Sequence, residues 1–295
     1  MIRESRAERS FQVANVVLLG LIAVVTLYPI LYVLFASVSD PNQLIRHSGA
    51  LFKPLGFELE AYKIVFKNPD IGSGYVNTLL YMGVGTAISM VLTIMGAYAL
   101  SRTHAMFVKY VMFFAAFTMW FKPSMIPFFL TVGTDMHMKN TFWAMVLPRA
   151  IVTYNLIVLR TGFAAVPESL EESARIDGAK DFTILFRVFV PLCMANIAVV
   201  TLFYMVSKWN SWFDAMLFIN KRNMFPLQLL LREILILNST DSMLAASAVS
   251  QGDQISVGET IKYATIVVAT LPILCVYPFV QKYFVKGVMI GAIKG

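Results

Sequence analysis

The chain has 295 residues, of which 58% are hydrophobic and only 14% charged. A soluble domain carries about 25% charged residues, so this composition excludes an ordinary water-soluble globular protein. The net charge of +7 comes from cations scattered between apolar runs, with no basic stripe, and this pattern excludes a nucleic-acid partner.

The apolar runs predict six membrane spans, since a helix needs about 20 mostly apolar residues to cross a bilayer. The first run, Phe11–Ala36, follows a polar N-terminus with three arginines. It is too long for the core of a secretion signal and lacks a small-residue cleavage site, so we predict an uncleaved span. The other predicted spans are Tyr75–Leu100, Phe107–Leu130, Thr141–Leu159, Val188–Val206 and Lys262–Phe284. The predicted fold is therefore an all-α polytopic membrane protein, with 1–295 forming one transmembrane domain.

The loops between these runs predict the orientation of the chain. Six spans place both termini on the same side of the membrane, and the loops on that side are short and rich in lysine and arginine. The positive-inside rule therefore predicts cytoplasmic termini. The polar loop 161–187 is then cytoplasmic, and the longer loops 38–74 and 207–261 are external.

The second predicted span carries small residues at every fourth position. Small side chains let helices approach closely in lipid, where a hydrophobic drive between helices is missing. Two interpretations are open, packing within this subunit or contact with a partner permease. The residues in this line are Gly85, Ser89, Thr93, Ala97 and Ser101.

Residues 167–191 predict a helix–turn–helix at the cytoplasmic membrane surface. Pro167 suits a first helical turn, and Ser169 with Glu172 three residues later fits a capping box. Gly178 ends this short helix. A second helical stretch follows, with an apolar side formed by Phe182, Leu185 and Phe186, until Pro191 enters the fifth span. By itself this pattern also fits any interfacial amphipathic helix.

The spacing within this segment resembles the cytoplasmic motif of ABC importer permeases. That motif reads EAA, three residues, Gly, nine residues, Ile, one residue, Leu-Pro, and here Ser173 replaces the first alanine with another small side chain. The matching residues are Glu172-Ser173-Ala174, Gly178, Val188 and Val190-Pro191, and the Asp177-Gly178-Ala179 triplet is also typical of the family.

The resemblance extends through most of the chain and is weakest in the loop 38–74. The ending QKYFVKGVMIGAIKG is similar to the carbohydrate-uptake branch of the family. The stretches KWNSWFDAMLFIN and LPILCVYPFVQKYF resemble the subgroup that imports complex oligosaccharides, including alginate-type importers.

The resemblance implies a division of labour in the bacterial inner membrane. Two homologous permeases would form the pore, two ABC ATPase subunits would bind ATP and magnesium, and an external solute-binding protein would deliver an oligosaccharide. The helix at 167–178 would dock on an ATPase, with Glu172 making a polar contact; its alternative role is helix stabilisation. The tail Gly291–Gly295 would reach the same interface, unless it is a frayed terminus. The residues that the resemblance assigns to coupling are Glu172, Ser173, Ala174, Asp177, Gly178, Ala179, Pro191, Lys294 and Gly295.

Two cations lie inside predicted spans, Lys122 in the third and Arg149 in the fourth. An intramembrane cation usually faces protein or water, because placing it in lipid is costly. We hypothesise that these residues favour an anionic saccharide such as an oligo-uronate. The alternative is snorkelling or a structural ion pair.

Other candidates for the substrate path lie in and after the fifth span. Tyr204, Trp209 and Trp212 could stack on sugar rings or anchor the chain at the membrane interface. Asn196 could line the path or bond a neighbouring helix.

The chain is predicted to have no catalytic activity and no cofactor of its own. It has no GxxxxGK[ST] phosphate-binding loop, and Cys193, Cys275 and three isolated histidines form no metal or catalytic pattern. Two rivals remain for the function. One is a secondary transporter driven by an ion gradient, a class that usually shows internal repeats, and the other is a non-transporting scaffold subunit.

Overall fold

The computed structural model describes residues 6–102, 107–245, 258–275 and 278. The structure is 79% helix, and no strand occurs among the described residues. The all-α prediction is therefore confirmed. Fifteen helices can be followed in this part of the chain. They are α1 (Arg6–Ser37), α2 (Pro41–Arg46), α3 (Glu60–Lys67), α4 (Pro69–Ser101), α5 (Val108–Trp120), α6 (Met125–Phe129), α7 (Trp143–Val146), α8 (Thr153–Ala164), α9 (Glu168–Ile176), α10 (Asp181–Ile184), α11 (Val190–Leu192), α12 (Met194–Trp209), α13 (Trp212–Phe218), α14 (Leu227–Ala245) and α15 (Gly258–Cys275).

Three helices, α1, α4 and α15, are each long and apolar enough to cross a bilayer. Two bent pairs could each form a further span. In the first pair, α5 meets α6 and its π-helical extension Leu130–Asp135 at 114°. In the second pair, Asp181–Leu192 meets α12 at 87°. The described residues thus contain three to five candidate spans, fewer than the six predicted.

The predicted runs that are not straight helices each contain a proline. Proline has no N–H to donate, and its ring disfavours helical backbone in the preceding residue. Pro123 lies in the break between α5 and α6, Pro148 follows α7, and Pro191 precedes the bend at Cys193. The fourth predicted span, Thr141–Leu159, is therefore divided between α7 and α8. The sixth begins within α15, and its last part lies outside the described residues.

The chain divides into two compact units, one built on the residues up to Pro69 and on Leu231–Leu271. In this unit the polar loop after α1 is ordered. The Asp40 carboxylate accepts hydrogen bonds from the backbone N–H groups of Asn42 and Gln43 and so caps α2. The Tyr28 hydroxyl accepts one from the N–H of Leu51 at 3.0 Å.

The second unit is built mainly on Asp70–Leu230 and contains the candidate sites. Its larger apolar cluster joins α4, α8 and α12 around side chains with no exposed surface, namely Ala97, Leu159, Phe163, Phe189 and Val200. A smaller cluster packs α7 and α13 against α4 around Tyr81, Met145, Phe218 and Ile219.

The line of small residues on α4 packs inside this unit. All five of its residues are buried. Thr93 Oγ1 lies 2.7 Å from the Tyr204 hydroxyl on α12, and a Cβ added to Gly85 would lie 3.1 Å from the Lys208 side chain. Of the two interpretations of this line, the structure thus supports packing within the subunit.

Candidate functional site

Helix α9 and the turn that follows it carry six of the residues assigned to coupling, and the helix begins at Glu168, next to the predicted start at 167. Its N-cap is Pro167, with φ −57° and ψ 134°, and no side chain caps this end. Ser169 lies within the helix, so the predicted capping box with Glu172 is wrong. The carboxylates of Glu168 and Glu171 in the first turn instead favour the helix N-terminus electrostatically.

The C-terminal end of α9 is a Schellman turn at Gly178. The N–H of Gly178 donates to the carbonyl of Arg175 at 3.0 Å, and that of Ala179 donates to Ala174 at 3.0 Å. Gly178 has φ +77°, a left-handed conformation that glycine adopts without a steric penalty. Ala174 and Ala179 pack against the larger apolar cluster. Ala174, Gly178 and Ala179 of the motif therefore together form the turn that ends α9 and its contact with the larger apolar cluster.

Pro191 lies where the segment that follows α9 turns into α12. The π-helical stretch Leu185–Phe189 leads into the short helix α11, and the chain bends at Cys193. Because Pro191 cannot donate to the carbonyl four residues earlier, the regular helical ladder is interrupted at this point.

The remaining motif residues form an exposed face. Glu172, Ser173 and Asp177 are all exposed, and Ile176 beside them is 85% exposed. Within the described part of the chain, the Glu172 carboxylate has no hydrogen bond or ion pair. This surface can therefore accept a partner without breaking an existing contact.

The sequence did not identify the charged network that lies beneath this face. Glu171, next to Glu172, pairs with Arg102 just after the end of α4 and also accepts a hydrogen bond from Arg175 Nη2 at 2.9 Å. Arg175 also bonds the carboxylate of Asp181 on α10 at 2.7 Å. Arg102 lies over the rings of Phe189 and Tyr98.

The pKa of the Glu171 carboxyl is lower than its ordinary value. Burial alone would raise it, but the hydrogen bonds and charges of Arg175 and Arg102 outweigh burial. Glu171 is therefore a carboxylate at neutral pH. Only its i,i+4 spacing to Arg175 was visible in the sequence. Nothing local pointed to Arg102, which lies 69 residues away.

A second polar group lies at the other end of α12. Lys208, only 6% exposed, donates to the carbonyls of Met145 and Val146 at 2.9 and 3.1 Å. These carbonyls belong to the last turn of α7, so Lys208 caps that helix. Asp214 and Arg149 are its charged neighbours, and Arg149 Nη2 lies 3.1 Å from Asp214 Oδ1.

Arg149 therefore has the structural ion pair that was the alternative to a substrate contact. Its side chain is nevertheless 55% exposed, and its guanidinium lies 5.4 Å from the ring centre of Phe128. Lys122 lies in the break after α5 and is exposed. The structure does not bring these two cations together.

The other predicted path residues are mostly packed. Trp209 is buried, and its indole N–H has no hydrogen-bond partner among the described residues. Trp212 is half-buried against the smaller apolar cluster. Asn196 lies against Gly162 on α8, where an added Cβ would meet its amide nitrogen at 2.7 Å. Asn196 thus packs against a neighbouring helix. Lys294 and Gly295 lie outside the described residues.

Tyr204 is buried, and its hydroxyl connects α12 to α4 and to the segment just before α8. Its hydroxyl accepts a hydrogen bond from the N–H of Val152 at 3.1 Å and bonds Thr93 at 2.7 Å. This placement does not support a direct substrate contact in this conformation.

We expect Tyr204→Phe to destabilise the subunit by about 1 kcal/mol, since it leaves buried polar groups unpaired. The melting temperature of the purified subunit should fall by about 2 °C or more. Tyr154→Phe is the matched control, because Tyr154 is exposed on α8. Equal losses in the two variants would contradict this role.

Comparisons with known proteins cover nearly the whole chain. No family model matches. The chain is 37% identical over 294 residues to Protein LplC of Bacillus subtilis (strain 168), covering 100% of this chain and 98% of the relative. It is 39% identical over 280 residues to the polygalacturonan/rhamnogalacturonan transport system permease protein YtcP of the same organism, covering 92% and 94%. A chain of a bacterial ABC transporter involved in the import of the acidic polysaccharide alginate superposes with TM-score 0.85 at 33% identity, over 96% of this chain and 100% of that one.

Proposed function

This chain belongs to the permease subunits of ABC sugar importers, and on that premise we propose that it imports acidic oligosaccharides and receives ATP-driven movement through α9. It is a multi-pass inner-membrane protein and the transmembrane subunit of an ATP-driven oligosaccharide importer. The observation that carries the coupling role is the geometry of α9. This is a short helix with a Schellman turn at one end, an exposed motif face and a partly buried ionic link to the end of α4.

The exposed face of α9 is the surface that docks on an ATPase. Glu172 supplies a carboxylate for a cation on the partner, and Ile176 supplies apolar area next to it. The Schellman turn at Gly178 holds the helix rigidly against the rest of the subunit, as a lever requires. Two ATPase subunits bind the ATP and magnesium, and this chain performs no catalysis.

The chain crosses the membrane six times, with both termini in the cytoplasm. The α7–α8 segment forms the fourth crossing, bent at Pro148 like the two pairs on either side of it. A second homologous permease completes the pore, and a solute-binding protein delivers substrate from outside. The tail with Lys294 and Gly295 reaches the ATPase interface.

Two of the similar proteins are named for the transport of acidic polysaccharides. One relative is named for polygalacturonan, a polymer of uronate residues, and the structural neighbour imports acidic alginate. In this chain, Arg149 and Lys208 supply two positive charges against the single carboxylate of Asp214. An excess cation in a partly exposed position favours a carboxylate ligand.

Reconstitution in proteoliposomes tests the proposed function. The chain is combined with its permease, ATPase and binding-protein partners, and uptake of oligogalacturonate and oligoalginate is measured. We expect uptake that requires ATP and survives an ionophore that collapses ion gradients. Uptake abolished by the ionophore would favour a secondary transporter, and uptake unchanged without this chain would favour a scaffold.

We expect Arg149→Ala to reduce uptake of oligogalacturonate by about fivefold, because one charge contact is worth about 1 kcal/mol near an exposed site. Uptake of the methyl-esterified, uncharged oligomer should change less than about twofold. Arg149→Lys, which keeps the charge, is the control and should resemble the unmodified chain. Equal losses for both sugars would exclude charge selection by Arg149.

A further inference from the structure

The Arg102–Glu171 pair is a partly buried ionic link between the end of the long apolar helix α4 and helix α9. The side chain of Arg102 is 14% exposed and that of Glu171 is 13% exposed. The two residues lie 69 positions apart in the chain, so the pair holds separate elements together. Removing Glu171 leaves the Arg102 guanidinium without its carboxylate, and removing Arg102 leaves Glu171 with only the exposed Arg175.

Arg102 is held in one orientation by several contacts at once. Besides Glu171, its guanidinium donates to the carbonyl of Phe163 at 3.2 Å and to Ser101 Oγ at 3.0 Å. It also lies 4.4 Å from the ring centre of Phe189, within the range of a cation–π interaction. One side chain therefore contacts the end of α4, the end of α8 and the π-helical stretch before α12.

A pocket of about 600 Å³ separates α4 from α9 beside this pair. Met95, Tyr98 and Arg102 line it from the α4 side, and Glu171, Arg175 and Phe182 line it from the other. On this side of the interface, apolar packing is incomplete, because the two elements enclose a space. The ionic pair is therefore the direct link between them at this point.

Arg175 provides a natural comparison because it bonds the same carboxylate. Its side chain is 51% exposed, and it reaches Glu171 from one turn further along the same helix. That contact stabilises α9 itself but connects it to no other long helix. The pair with Arg102 differs in burial and in the elements that it joins.

We propose that Arg102 and Glu171 are positioning residues that make α9 and the cytoplasmic end of α4 move as one body, so that breaking the pair uncouples ATP hydrolysis from sugar transport. This inference rests on the proposed coupling role of α9. It assigns Glu171 an internal role and leaves Glu172, on the exposed face, to the partner ATPase.

The test uses the complete reconstituted importer with Arg102→Gln, Glu171→Gln and the double variant. The first measurement is the number of ATP molecules hydrolysed per sugar transported. We expect this ratio to rise about tenfold in each single variant and by no more in the double variant, since all three break the same link. Arg175→Gln should change the ratio less than twofold, and Arg102→Lys, which keeps the ion pair, should largely preserve it.

The second measurement is the melting temperature of the same complexes. If the fall in melting temperature in the double variant is smaller than the sum of the two single falls, the result supports a direct Arg102–Glu171 pair. Falls that add overturn it. Non-additive melting with an unchanged ATP-to-sugar ratio overturns the coupling role, because the pair is then only structural. Loss of bound ATPase subunits from the Glu171→Gln complex also overturns the proposal, since Glu171 would then be a docking residue.

Absence of ATP-dependent uptake in the unmodified complex counts against the proposed function, whereas the melting data still decide whether the pair exists.

Discussion

Asp214→Asn is expected to destabilise the folded subunit by about 2 kcal/mol, because the buried ammonium of Lys208 loses its neighbouring carboxylate. Burial raises the pKa of the Asp214 carboxyl, so neutralising it also relieves part of its own burial cost and keeps the loss below that of a fully buried pair. Among the described residues, Asp214 is the only carboxylate that is a charged neighbour of the Lys208 ammonium, and Arg149 is the other charged neighbour. Neutralising Asp214 would leave Arg149 and the buried ammonium of Lys208 close together without an anion. The Lys208 ammonium is desolvated, so repulsion from the nearby Arg149 charge would no longer be compensated, although Arg149 itself remains 55% exposed.

Lys208→Met removes the cation of this group instead of the anion. It should destabilise the folded subunit less than Asp214→Asn. It removes the buried charge together with its desolvation penalty and keeps a flexible side chain of similar volume against Gly85. The loss is then limited to the two hydrogen bonds to the carbonyls of Met145 and Val146. Each such bond contributes about 0.5–1.5 kcal/mol.

Melting temperatures of the purified subunit decide the order of these effects. Glu60→Gln is the matched control, because Glu60 pairs with Lys63 at 3.3 Å and both side chains are at least half exposed. An exposed pair is worth about 0–1 kcal/mol, so this variant should melt within about 2 °C of the unmodified subunit. A loss for Asp214→Asn as small as that for Glu60→Gln would exclude the electrostatic role of Asp214.

The apolar runs predicted which segments are membrane-embedded better than they predicted the shape of those segments. Hydropathy averages over a window and does not respond to a single residue that breaks a helix. Pro123, Pro148 and Pro191 each lie in a run that was predicted as one span. Pro29 lies inside α1, which remains continuous, so proline alone does not decide where a helix breaks. The bends depend on tertiary packing, which a single sequence does not reveal.

The coupling segment was predicted from spacing, and the contacts beneath it were not. Glu171 and Glu172 are neighbours in sequence but point about 100° apart around the helix. One therefore faces the protein and the other faces outward. Lys208 was overlooked because the predicted fifth span ended at Val206 and the residue was counted as part of a loop. The structure extends α12 to Trp209 and turns Lys208 toward α7.

The conformation of Gly178 leads to the second large expected effect, a loss of about 2 kcal/mol in the stability of the native turn for Gly178→Val. The φ of +77° is unfavourable for any side chain and most unfavourable for a β-branched one. A Cβ added at this position would meet no atom within 4 Å, so the effect is confined to the backbone. The equilibrium constant for forming the native turn should therefore fall by about 30-fold.

The functional consequence of Gly178→Val depends on whether α9 acts as a rigid lever. If it does, ATP-dependent uptake should fall with the population of the Schellman turn, while the α4 and α12 spans remain folded. Gly178→Asn is the matched control, since asparagine tolerates the left-handed region and adds a side chain of similar bulk. The two variants differ in backbone preference rather than in space filled. Uptake lost with valine and retained with asparagine would therefore identify the turn itself as the requirement, and equal uptake in both would refute it.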